Sequence, residues 1–112
     1  MGGPERRWPR QGGEPARFAA AADLLKALAS PHRVAIVDLL AAGPLRVHEI
    51  VEALGVDQPL VSQHLRVLRD ADLLTSERHG KEVVYSLADE HIAHIVGDAI
   101  THAAEVPGGE SS

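Results

Sequence analysis

Cysteine is missing from all 112 residues, and that one absence removes a disulfide framework, a thiolate metal site and a cysteine nucleophile together. Aromatic residues are scarce as well, with one Trp, one Tyr and one Phe, so the core has to be assembled from Leu, Val, Ile and Ala, a composition that suits helices. No apolar run approaches the roughly 20 residues needed to cross a bilayer, and residues 1–15 lack the apolar stretch of a secretion signal. A cytoplasmic protein with no membrane partner is expected. Residues 89–112 hold Asp89, Glu90, Asp98, Glu105 and Glu110 but no Lys or Arg. The formal net charge of −5 therefore belongs to the C-terminal part, and the residues before it carry eleven charges of each sign. An acidic total weakens nonspecific attraction to nucleic acid but leaves room for a locally basic face.

What is present amounts to one domain: 112 residues with 45% hydrophobic content, small enough that burying a further face in a homodimer adds to stability. Residues 1–15, MGGPERRWPRQGGEP, combine Gly, Pro and Arg without periodicity and predict a disordered N-terminal arm. Residues 16–106 form the folded domain, and 107–112 a disordered tail. From Ala16 the pattern ARFAAAADLLKALA places Phe18, Ala21, Ala22, Leu25 and Leu28 at helical spacing, and this first helix is expected in a dimer interface. Ser30-Pro31 reads as the N-cap and first position of a second helix, with Val34, Ile36, Val37, Leu39 and Leu40 inside it. His32 and Arg33 in its first turn are read as solvated or structural. Ala42-Gly43-Pro44 ends it.

A third helix is expected over Leu45–Leu54, stopped by Gly55, and a fourth starts near Asp57 with Pro59 in its first turn and Val61, Leu65 and Leu68 inward. Two short helices joined by a tight Gly-containing turn form a helix-turn-helix pattern. The outward set of the second is Gln58, Ser62, Gln63, Arg66 and Arg69. Gln and Arg can make bidentate contacts to adenine and guanine edges, and Ser can reach a base or a phosphate; any exposed helix also carries such residues. Next, LLTSERHGKEVVYSL contains two β-favouring runs around Arg78-His79-Gly80-Lys81. A hairpin after a recognition helix is a wing, and Arg78, His79 and Lys81 at its tip are candidates for DNA contact.

The last helix, from Asp89 to Glu105, sorts into two stripes. Ile92, Ile95, Val96, Ala99, Ile100 and Ala103 form an apolar face, while His91, His94, Asp98, His102 and Glu105 follow a polar line. His91 and His102 share an azimuth but stand roughly 16 Å apart along the axis, so one ion cannot touch both within one helix. An antiparallel second copy brings His91 of one chain level with His102 of the other, at both ends of the pair. Each of two sites then gathers Asp89 and His91 from one subunit with His102 and Glu105 from its partner, a nitrogen and oxygen set that suits four-coordinate Zn²⁺. Asp89 is expected at the N-cap, outside helical geometry. A solvated helix face has the same composition, so both readings stand at this point; His94 is read as solvated.

The order of four helices, hairpin and helix, with VDQPLVSQHLRVLRDADLL before the wing and VVYSLAD after it, resembles the ArsR/SmtB family of bacterial winged-helix repressors over about residues 20–105. The fold so implied is mostly α with a β-hairpin, a winged helix-turn-helix (α-α-α-α-β-β-α) paired as a homodimer through first and last helices. The pattern D-x-H-x10-H-x2-E, met here by Asp89, His91, His102 and Glu105, resembles the subgroup with metal sites on the last helix. The resemblance implies a zinc sensor with two ions per dimer, bound between subunits, that releases operator DNA. It also implies hydrogen bonds from His102 toward the fourth helix, where His64 is a candidate link. Where many members carry a cysteine motif on the third helix, this chain has LRVHEIVEAL with Arg46 at the cysteine position, which argues against thiolate-based sensing of arsenic, lead or cadmium.

Other readings are a winged-helix regulator that answers cobalt, nickel or a non-metal signal, a zinc hydrolase, and a pure dimerisation module. A hydrolase needs an open metal position, a base and a substrate pocket, none of which the sequence supplies, so no catalytic residues and no small-molecule substrate are expected. A scaffold leaves Gln58 to Arg69 and the wing without a purpose.

Overall fold

The computed structural model describes residues 14–107. Helix α1 (Glu14–Leu28) begins two residues before the expected domain boundary; Arg6, Arg7, Trp8 and Arg10 of the arm, and residues 108–112 of the tail, lie outside the described residues. Helix α2 (Pro31–Leu40) follows. Its start is fixed as expected: Ser30 Oγ accepts from Arg33 N at 3.3 Å, and Pro31 occupies the first turn, where no backbone donor is needed.

The chain then departs from the expected third helix. Leu45–Arg46 form a short strand, β1, and helix α3 runs only over Val47–Leu54. Residues 45 and 46 are extended because they pair antiparallel with Tyr85 and Val84 far along the chain, a tertiary contact that overrides local pattern. Gly55, at φ 68°, closes α3 and donates its N–H to Val51 O at 2.8 Å. Helix α4 (Gln58–Asp70) starts after Asp57, which occupies the N-cap position through its backbone carbonyl while its carboxylate makes no capping bond.

Strands β2 (Leu74–His79) and β3 (Glu82–Leu87) make the hairpin, in register from Leu74 opposite Leu87 to His79 opposite Glu82. Gly80 takes φ 66° in the two-residue loop. With β1 the sheet has three strands in the order β1-β3-β2, one more than the expected hairpin. Only Leu74 of β2 is buried, whereas β3 is half-buried along most of its length. The hairpin is therefore held at its base and projects as a wing. Helix α5 (Glu90–Glu105) closes the fold.

The core lies where α2, α3, α4 and α5 converge, with Ile36, Val37, Ile50, Val61, Leu65, Leu68 and Leu73 fully buried. Each of these aliphatic side chains contributes roughly 1.5–3 kcal/mol by leaving water. Helix α1 adds only Ala27 and Leu28 at its C-terminal end to the buried set. Phe18 and Leu25 are exposed, so most of α1 lies outside the core of the described residues. The expected apolar stripe of α5 is divided: Ile92 and Val96 are 4% and 3% exposed, while Ile95 and Ile100 are 39% and 41% exposed. Ile92 and Val96 thus lie inside the protomer, while Ile95 and Ile100, on either side of them around the helix, stay outside it.

Candidate nucleic-acid interface and metal half-sites

All five outward residues expected on α4 are exposed: Gln58, Ser62, Gln63, Arg66 and Arg69. Ser62, Arg66 and Arg69, spaced four and three apart, follow one line along the helix, and Gln63 flanks it. Val61, Leu65 and Leu68 on the opposite side are buried, which fixes the rotation of α4 and so aims the polar line at solvent. On the wing, Arg78, His79 and Lys81 are exposed. His79 Nε2 lies 3.0 Å from Glu77 Oε1 on the same strand face, so its ring is directed along β2.

A second arrangement fixes α4 from behind. Arg33 Nε donates to Ala27 O at 2.6 Å, and Arg33 Nη1 lies 3.2 Å from His64 Nδ1. The His32 and His64 rings are 5.3 Å apart and tilted by 59°. Burial first, then the Arg33 cation and then His32, lowers the His64 pKa below its ordinary 6.5. Arginine only donates, so His64 Nδ1 accepts and the ring is neutral in this arrangement. His64 is thus tied to α2 within the protomer through Nδ1. Of the two roles expected for Arg33, solvated or structural, the contacts show the structural one, though nothing in the spacing announces that it joins the end of α1 to α4.

At α5, Asp89 is the N-cap, as expected. Its Oδ1 accepts from His91 N at 2.9 Å and from Ile92 N at 3.3 Å, and His91 Nδ1 is 3.4 Å away. Local capping therefore seats Asp89 beside His91, although the two are not neighbours on an ideal helical face. Both side chains are largely exposed. His102 and Glu105, three apart in the last turn, are also exposed. No group of three or more His, Asp or Glu side chains converges on one point among the described residues. Within one chain α5 thus carries two separated pairs of ligand-type side chains, Asp89 with His91 at its start and His102 with Glu105 at its end. Their donor chemistry, imidazole and carboxylate without sulfur, fits borderline divalent ions such as zinc.

Among the described residues no helix is long and apolar enough to cross a membrane.

Comparison with known proteins agrees with this architecture. Residues 30–76 match the arsR family of bacterial regulatory proteins. Over 86 residues the chain is 58% identical to the HTH-type transcriptional repressor SmtB of Mycobacterium tuberculosis, a match that spans 77% of this chain and 64% of that protein, slightly under two thirds of its length. It is 45% identical over 85 residues to the HTH-type transcriptional regulator NmtR of the same organism, across 76% of this chain and 71% of that one. The solved homodimeric winged helix-turn-helix DNA-binding domain Mb0332 from Mycobacterium bovis superposes with a TM-score of 0.77 at 30% identity, covering 86% of this chain and 89% of that domain. These are regulators of transcription or their DNA-binding domains, not enzymes. From the five helices, the wing and these relatives together, the chain belongs to the ArsR/SmtB family of winged helix-turn-helix transcriptional regulators.

Proposed function

We propose that two copies of this chain bind a pseudo-palindromic operator duplex as a cytoplasmic homodimer, repress transcription there, and release the DNA when zinc binds, two ions per dimer, between their α5 helices. The observation that carries the proposal is the division of α5. Its two pairs of exposed ligand-type side chains sit at opposite ends, and Ile95 and Ile100 between them are left exposed, flanking the buried Ile92 and Val96 on either side. Antiparallel pairing over this apolar surface juxtaposes Asp89 and His91 of one protomer with His102 and Glu105 of the other. Bound there, the ion supplies a cross-link between subunits.

Repression belongs to α4 and the wing. Two symmetry-related α4 helices enter successive major grooves only if their separation matches the helical repeat, roughly 34–36 Å. Helix α2 packs against both α5 and α4, so a change in how the α5 pair sits reaches the DNA-reading helix through α2. By reciprocity, the form that binds zinc better must bind DNA worse, and DNA weakens zinc by the same factor. Because an imidazole must be neutral to ligate, metal uptake releases protons and declines as the solution is acidified.

The test is calorimetric titration of Zn²⁺ into chelator-treated protein, beside His102→Ala, with the affinity for a selected duplex measured with and without metal. The expected result is two equivalent ions per dimer, lost in the variant, and weaker DNA binding only where zinc binds. Zinc binding indifferent to His102, or tighter binding of cobalt or nickel coupled to DNA release, would replace this reading with a different site or signal.

A further inference from the structure

Between the wing and the helix pair lies a cleft of about 340 Å³, lined by Arg46 and His48 at the start of α3, Gln58 at the start of α4, and Lys81 and Glu82 at the wing turn. Gln58 and Lys81 belong to the DNA-facing set drawn from α4 and the wing; Arg46 and His48 do not. A duplex lying on both elements has to pass over this cleft. Arg46 Nε is paired with the Glu82 carboxylate, and Arg46 Nη1 stands 3.9 Å from Glu49 Oε1. That same oxygen accepts from Arg46 N at 2.7 Å, which fastens Glu49 to the start of α3. Lys81 and His48 have no ion-pair partner among the described residues.

We propose that this cleft is a backbone-phosphate site of the DNA interface, with Arg46 as an additional DNA contact, and that Glu82 occupies the Arg46 guanidinium until a phosphate displaces it. The proposal rests on the DNA-binding reading above and adds to it a residue and a competition. Carboxylate and phosphate offer the same pair of acceptor oxygens to a planar guanidinium, so one can replace the other without moving Arg46. Side-chain exposures of 45% for Arg46 and 49% for Glu82 leave the pair open to water, and a pair so exposed contributes little to stability. Its charges are therefore free to exchange partners. Glu49 and Glu82 hold Arg46 in the free protein, so a phosphate contact to Arg46 has to break an internal pair first. Weak, nonspecific encounters are penalised by that step more than a fully engaged operator complex is, because the latter gains base contacts from α4 as well.

The experiment uses the full chain and a duplex that it selects from a random-sequence pool, with affinity followed against salt concentration. Arg46→Gln is expected to weaken binding about tenfold and to lower the slope of log affinity against log salt by about one per half-site. Glu82→Gln is expected to strengthen binding about tenfold, and this gain must vanish in the Arg46→Gln background. Thermal melts of each variant confirm that it folds. A gain that persists without Arg46 marks general removal of negative charge and overturns the competition. Loss of affinity in Glu82→Gln makes the pair a brace for the wing and overturns it too, as does an unchanged slope in Arg46→Gln. If Arg66→Ala and Ser62→Ala lose affinity while the Arg46 and Glu82 variants do not, only this inference fails. If the unmodified chain selects no duplex, the DNA-binding reading fails with it.

Discussion

Arg33 Nη1 and His64 Nδ1 meet at 3.2 Å and join the start of α2 to the middle of α4. Since Arg33 Nε also holds Ala27 O, one side chain gathers the end of α1, the start of α2 and the inner face of α4. Arg33→Ala removes both bonds and leaves a carbonyl and a ring nitrogen half-buried. A loss of about 1–3 kcal/mol in stability is expected from urea unfolding. Arg33→Lys, which has no planar fork to serve two acceptors at once, should recover only part of it.

The same contact makes stability depend on pH. The folded-state pKa of His64 is lowered, so the unfolded chain binds the extra proton more readily. Its stabilising effect is complete above the ordinary value of 6.5 and is lost as pH falls through that value toward the folded-state pKa. Urea midpoints are expected to drop on acidification through that window, and His64→Gln should flatten this component of the profile. A midpoint that rises on acidification would reverse the assignment of Nδ1 as acceptor.

Asp89 caps α5 and, in the proposed zinc site, is also a ligand; substitution can separate the two. Asp89→Ala removes the cap on His91 N and Ile92 N, with an expected cost of about 1 kcal/mol, together with the proposed carboxylate ligand. Asp89→Asn keeps a capping oxygen and should unfold close to the unmodified chain, yet hold zinc more weakly. Melting temperature and metal titration on the same two variants distinguish cap from ligand.

Asp72, at φ 63°, is the one non-glycine residue with positive φ among the described residues. It turns the chain from α4 into β2, with its N–H donating to Arg69 O at 2.9 Å. Asp72→Gly should hold or slightly raise the unfolding midpoint, while Asp72→Val, β-branched in a left-handed conformation, is expected to cost more than about 1 kcal/mol.

Ile95→Glu together with Ile100→Glu tests the exposed apolar residues of α5. Sedimentation should shift the protein toward a monomer that keeps its helical circular dichroism, because Ile92 and Val96 still fill the protomer core. Retention of the dimer would place the interface elsewhere.

Most of this architecture could be read from local signals. Ser30-Pro31, Gly55 and the α4 spacing of Val61, Leu65 and Leu68 each fix an element through chemistry contained within a few residues. The N-cap role of Asp89 was legible for the same reason. What the sequence could not convey depends on partners remote in the chain. Leu45–Arg46 become a strand only because β3 lies beside them, and Arg46 meets Glu82 only after the wing folds back. The division of α5 was hidden for a related cause, since a helical wheel joins Ile92 and Ile95 into one face and does not record where the protomer core ends.

That division also limits how α5 can move. A step of one residue about the helix axis turns a side chain through about 100°, enough to pull Ile92 and Val96 out of the core. Spinning is therefore the stiff coordinate of this helix, whereas pivoting and small slides leave those two anchors where they are. A displacement of α5 against its own protomer is then a change of angle or offset.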